Sequence, residues 1–170
     1  MFRKQPKIDI EENPMDQALV KLGWWLVLFH FVLAGVLYAT APETVPTHFN
    51  MEGKPTNFGH KANLWVLPVL NAVLYYFLLK LSTQMKPWHY NYPVKVTDAN
   101  APKLYAMARR MMVVISLGTV LLLFFLTFQT ALQSLYQIGN ALQYLLPIYA
   151  VTLCLYPFYI AFKMFKLPKE

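Results

Sequence analysis

From Met111 to Phe162 the chain runs 52 residues without an Asp, Glu, Lys, Arg or His. A helix rises about 1.5 Å per residue and a bilayer core is about 30 Å thick, so one span takes about 20 residues. The stretch is too long for one span and the right length for two joined by a turn. That turn is expected at Gln133-Ser134-Leu135-Tyr136-Gln137-Ile138-Gly139-Asn140, where Gly-Asn can end a helix. Two further gaps in charge have the length of a span. Leu22 to Pro42 is 21 residues without Asp, Glu, Lys or Arg, and Ala62 to Leu79 is 18. The sequence therefore predicts an all-α integral membrane protein: one membrane domain, 1–170, with four helices near 18–39, 62–81, 109–132 and 142–162. The first apolar run exceeds a secretory leader's core and reads as a permanent helix. Composition agrees, since 14% of residues are charged and 57% hydrophobic, against about 25% charged in soluble domains. A single cysteine, Cys154, excludes a disulfide scaffold.

The basic residues orient the bundle. Four lie before the first apolar run, six between the second and third, and three after the fourth, 13 in all against Lys54 and Lys61 on the other side. Lys and Arg stay cytoplasmic. Both termini and the 82–108 connection are thus expected inside, and the 40–61 loop outside. Trp24, Trp25, Trp65, Trp88, Tyr136 and Tyr144 fall where aromatic anchors sit at a membrane interface. The +7 net charge reads as topology and attraction to anionic headgroups, not as a nucleic-acid footprint. The expected partner is the lipid bilayer, with no nucleic acid and no cofactor.

The 40–61 loop is more patterned than a connector needs to be. Pro42 stops the first helix, Val45 to Asn50 reads as extended, Asn50 to Pro55 with Gly53 as a turn, and Phe58-Gly59 as a second turn. His48 is expected to hydrogen-bond within the turn and fix the loop's shape. His48 and His60, with Glu43 and Glu52, are ligand types that zinc takes, but the spacing His-x11-His matches no metal motif, and His-Glu-x-x-His is absent.

This loop, with Pro42, Val45-Pro46, His48-Phe49-Asn50, Gly53, Pro55, Gly59 and Lys61, resembles an uncharacterised bacterial membrane domain. That domain forms the N-terminal part of SdpI-type immunity proteins and also occurs in shorter stand-alone proteins. The likeness continues through Asn91-Tyr92-Pro93-Val94-Lys95-Val96-Thr97, Asn100, Tyr105 and Arg109-Arg110, and covers residues 22–115. It implies a bacterial inner-membrane protein that recognises a secreted antimicrobial or toxin-like peptide, with His48, Asn50, Gly53, Pro55, Gly59 and Lys61 as the loop's binding residues. A small subunit of a transport or secretion complex is the alternative, and a metal-dependent membrane hydrolase the third.

Polar groups inside a bilayer usually face the bundle interior. His30 and Asn71 lie near the midpoints of their spans, and Thr119 and Thr152 at similar depth. These four are expected to form a polar layer centred on a His30–Asn71 hydrogen bond, holding the helices together. Kinks at Pro68, Pro147 and Pro157 offer a route to a small cavity beneath the loop, and Gly35 and Gly118 to close helix approach. The chain has no Gly-rich phosphate loop, no nucleophile and base at recognisable spacing, and no paired membrane carboxylates. A non-catalytic role is the expectation.

Overall fold

The structure, a computed structural model, describes residues 5–50, 52–136, 138 and 144–167. In chain order it holds α1 (Pro14–Thr40), a hairpin of β1 (Thr44–Phe49) and β2 (Pro55–His60), α2 (Val66–Gln84), α3 (Ala101–Tyr136) and α4 (Leu145–Phe165). Short 3-10 segments at Lys61–Trp65 and Pro87–His89 precede and follow α2. The protein is mostly helical, with four helices long and apolar enough to cross a membrane. The hairpin corrects the all-α expectation.

Capping chemistry sets the helix ends more than the charge gaps do. The Asn13 side chain accepts from the Met15 N–H at 2.9 Å, and Pro14 takes the first helical position, so α1 starts before its apolar run. The Asn100 carbonyl accepts from the Leu104 N–H at 3.0 Å, while its side chain accepts from the Thr97 N–H at 2.9 Å. That places the start of α3 at Ala101, well ahead of the apolar residues. At its other end α3 runs on through Gln133–Tyr136, which the sequence predicts as turn. The expected stop at Gly139-Asn140 and the start of the fourth helix at 142 lie outside the described residues. Pro68 and Pro147 sit in the first turns of α2 and α4, where backbone N–H groups have no helical partner. Neither is an interior kink; among the described residues only Pro157 stands in the interior of a helix, beyond its first turn.

Helices α1, α2 and α3 pack together, and α4 lies along α3. Only 6% of the α4 span is buried, against 28%, 28% and 33% for the others. Two glycines set close approaches. A Cβ on Gly23 would overlap the Tyr75 ring, whose hydroxyl donates to the Val20 carbonyl at 2.8 Å. A Cβ on Gly118 would stand 2.5 Å from Leu153, and the Gly118 carbonyl accepts from the Tyr149 hydroxyl at 3.0 Å. Gly35 meets only Trp65 at ordinary contact distance.

Three apolar clusters stack along the bundle. Leu37, Ala41, Val45, Leu64 and Ala131 meet under the hairpin, and Val27, Tyr75, Leu79 and Val120 in the middle. Ala101, Leu104, Tyr105, Ala108, Ile160 and Met164 gather at the far end. Ile8, Ile10 and Trp88 pack against this last cluster, so the N-terminal arm, the connection after α2 and the end of α4 share one end of the bundle. That end is called the basic end below.

Candidate functional site: a roofed cavity over a buried histidine

The hairpin is built by a few residues of its own. Thr44 pairs with His60, Val45 with Gly59 and Pro46 with Phe58. The register then slips, so that His48 stands opposite Asn57, and it recovers at Phe49 and Pro55. Such bulges re-aim side chains. At the tip the Asn50 side chain accepts from the N–H groups of Glu52 (3.0 Å) and Lys54 (2.9 Å), and its carbonyl accepts from Gly53 at 3.0 Å. Gly53 has φ 73°, which favours a residue without a Cβ. The expected turn at Phe58-Gly59 is not one: both residues lie inside β2. A Cβ at Gly59 would come 2.5 Å from Asn63 Nδ2 and 3.0 Å from Thr47, so the Asn63 side chain would have to move aside.

The foot of the hairpin is a charged knot. Lys61 Nζ lies 2.9 Å from Glu43 Oε1 and 5.1 Å from the centre of the Tyr38 ring. The Lys61 N–H also donates to the Glu43 carbonyl at 2.8 Å. His60 Nε2 is 3.3 Å from Glu43 Oε2, and its Nδ1 accepts from the Ala62 N–H at 3.1 Å, capping the 3-10 segment. Hydrogen bonding from Lys61 and its charge hold the Glu43 carboxyl below the usual carboxylate range.

The six loop residues picked out by the sequence therefore do not form one constellation. Asn50, Gly53, Gly59 and Lys61 shape and anchor the hairpin, and Pro55 opens β2 opposite Phe49. His48 does not fix the turn, because Asn50 already satisfies its N–H groups. Among the described residues it reaches only Thr47 Oγ1, at 3.4 Å, and it lines a cavity instead. Among the described residues no three His, Cys, Asp or Glu side chains converge, and His48 and His60 belong to different surroundings.

That cavity, about 420 Å³, lies between the hairpin, the start of α2 and α3. Thr47, His48, Asn57 and Asn63 supply polar groups on its exposed side, while Val45, Leu64 and Leu67 supply apolar ones. Thr127 and Thr130 of α3, both buried, line its inner side. It owes nothing to a proline kink: Pro68 lies in a first turn, and Pro147 and Pro157 are not among its walls.

Behind Thr127 lies the centre of the bundle. His30 and Asn71 are fully buried, and Asn71 Nδ2 is 2.9 Å from His30 Nδ1 and 3.2 Å from the Val120 carbonyl. His30 Nε2 is 2.7 Å from Thr127 Oγ1. The hydrogen bonds thus join α1, α2 and α3. Two of the four residues expected in this layer, His30 and Asn71, do meet. Thr119 and Thr152 do not join them: each hydroxyl bonds its own helix, to the carbonyls of Ile115 and Ile148 at 2.9 and 2.8 Å. Depth alone misled here. Thr119 is next to Val120, so its level is right, but its side chain points to another face, and α4 stands outside the three-helix core. Thr127 was missed because its position relative to a charge gap says nothing about which face it occupies.

Residues 25–72 match a domain of unknown function, DUF1648. The match takes in α1 from Trp25, the whole hairpin and α2 as far as Ala72, and so includes both His30 and Asn71. An uncharacterized protein of Archaeoglobus fulgidus is 30% identical over 69 residues, which is 39% of this chain and 38% of that protein. The chain thus aligns with well under half of that relative's length. No solved structure matches.

Proposed function

We propose that this is a non-catalytic protein of the bacterial inner membrane, with both termini cytoplasmic and the hairpin outside. Its role is to hold a segment of a secreted antimicrobial or toxin-like peptide in the cavity under the hairpin, in the manner of an immunity factor. The observation that carries the reading is the cavity itself. A connector between two spans needs neither a bulged hairpin nor a void of about 420 Å³ behind it, and ligand sites are typically concave, mostly apolar and provided with a few placed polar groups. The 13-to-2 division of basic residues supports the orientation, and the likeness of the loop to SdpI-type proteins supplies the peptide.

Deleting the gene should sensitise cells to a killing peptide, and His48→Ala should do so with the protein still inserted and folded. His48 is the better target because Asn50 and Gly53 variants damage the hairpin as well. Unchanged sensitivity across a panel of secreted peptides sinks the proposal. One observation favours the subunit reading as well: α4 leaves Ile148, Val151, Leu155, Phe158 and Phe162 exposed, a face that lipid or a partner helix could cover. A defined larger assembly after gentle detergent extraction would favour the partner.

A further inference from the structure

Four of the Ser and Thr hydroxyls on α3 and α4 share a habit that Thr127 breaks. Ser116, Thr119, Thr130 and Thr152 each donate to the carbonyl four residues back, at 2.7, 2.9, 3.2 and 2.8 Å. Thr127 has no such bond, and its Oγ1 is turned to His30 Nε2. The question is which of the two supplies the proton.

Asn71 answers it. Its Nδ2 carries two hydrogens and has two acceptors in reach, the Val120 carbonyl and His30 Nδ1. Turning the amide over would set Asn71 Oδ1 against the Val120 carbonyl oxygen, two acceptors with no proton between them. With the amide as placed, His30 Nδ1 accepts, so the ring is neutral and its proton sits on Nε2. Nε2–H then donates to Thr127 Oγ1. The Thr127 hydroxyl proton is left with no acceptor among the described residues, and Thr127 lines the cavity.

We infer that Thr127 is the recognition donor of the cavity, and that the cavity takes a neutral ligand presenting a carbonyl oxygen, such as an uncharged peptide segment. The charge of the site points the same way: among the described residues no Lys, Arg, Asp or Glu lines it, and His48 is its one titratable side chain. Val45, Leu64 and Leu67 suit an apolar side chain beside that carbonyl. The relay Asn71 to His30 to Thr127 polarises the hydroxyl, because chained hydrogen bonds in a medium of low dielectric strengthen one another. His30 is a positioning residue, acting on the ligand through Thr127. This inference rests on the cavity being a ligand site, and is independent of whether the natural ligand is a toxin.

The test uses the full chain in lipid nanodiscs with ¹⁵N-labelled histidine imidazoles. The probe is N-acetyl-leucine methylamide, and leucine methylamide, a cation, is its charged counterpart. The neutral probe should shift the His30 Nε2–H resonance saturably, and the cation should not. Thr127→Ser should keep the response, whereas Thr127→Val should weaken binding about tenfold, as loss of one buried hydrogen bond predicts. No shift in the wild-type protein overturns the inference, as does a Thr127→Val protein that binds like wild type. If Thr127→Val does not assemble, the wild-type response and the contrast with the cation still decide. A normal probe response in cells indifferent to every killing peptide would remove the immunity reading and leave the carbonyl site standing.

Discussion

At the basic end the chain closes over itself. Residues of the N-terminal arm lie across the helix ends, with the Gln5 side chain donating to the Tyr90 carbonyl at 2.8 Å and the Tyr105 hydroxyl to the Pro6 carbonyl at 2.7 Å. Ion pairs join Asp9 to Lys86 at 3.2 Å, Glu12 to Arg109 at 2.7 Å and Asp16 to Arg110. Beneath them sits the cluster of Ala101, Leu104 and Tyr105, all without measurable exposure. At the other end a two-stranded hairpin stands on one charged knot, with Phe58 59% exposed and a cavity behind it. An isolated hairpin is marginal in water, so this one depends on its turn, its foot and the burial of Val45 in the apolar cluster beneath it. The contrast teaches where each kind of stability is placed: a broad covered apolar cluster at the basic end, and at the hairpin a smaller cluster with local polar geometry beside an open cavity.

The sharpest way to break that contrast is to attack the basic end. Tyr105→Ala removes a fully buried ring and should cost about 3–5 kcal/mol of stability, read from unfolding of the protein in detergent micelles. Tyr105→Phe removes only the bond to Pro6 and should cost about 1 kcal/mol. Both should also make residues 5–13 easier to cleave by protease. If Tyr105→Ala costs no more than a hairpin variant, burial at this end is not what holds it.

Hairpin variants should act locally. Gly53→Ala forces a Cβ into a left-handed conformation, at about 1–2 kcal/mol. Asn50→Ala leaves the Glu52 and Lys54 N–H groups without their acceptor, at about 1 kcal/mol each if water does not replace it. Hydrogen exchange at Gly53 and Lys54 should quicken in both, with the global unfolding midpoint almost unmoved. A large drop in that midpoint would mean that the two ends unfold as one unit.

Much of this layout is legible in the sequence, for a physical reason. The cost of a charge in hydrocarbon writes the four spans directly into the charge gaps, and a backbone turn with positive φ writes Gly53 beside Asn50. What stays hidden is set by packing between distant segments. The His30–Asn71 pair could be proposed from depth, because polar groups seek one another in the bundle. Thr127 could not, because choosing it over Thr119 needs the rotation of α3 against α1 and α2. The double bulge that turns His48 and Asn57 to the cavity leaves no local signal, since each strand looks regular and only the pairing is irregular. Likewise Arg109 and Arg110 read as free topology charges until the arm supplies Glu12 and the first turn of α1 supplies Asp16.

The smallest effect is the most discriminating between the two ends, because each carries an exposed carboxylate whose pKa is lowered. Glu43 at the hairpin foot is held below its ordinary value of 4.5 chiefly by Lys61, and Glu12 below the same value by the Gln17 side chain and the charge of Arg109. A carboxyl with a depressed folded pKa stabilises the fold above about pH 4.5 and loses that contribution as pH falls through the folded value. Both contributions are small, since exposed pairs are screened by solvent and salt. Their consequences should still differ. Loss of the Glu12 pair leaves the buried cluster at the basic end in place, whereas loss of the Glu43 pair removes the knot on which the hairpin stands. Lowering the pH from about 6 to about 3 should therefore speed exchange at Lys61 N–H and at the strand amides, after correction for intrinsic rates, and leave Leu104 N–H protected. Glu43→Gln should abolish that pH dependence at the hairpin, while Glu12→Gln should not. Equal acid sensitivity at both ends would show that the basic end, too, is held by its ion pairs.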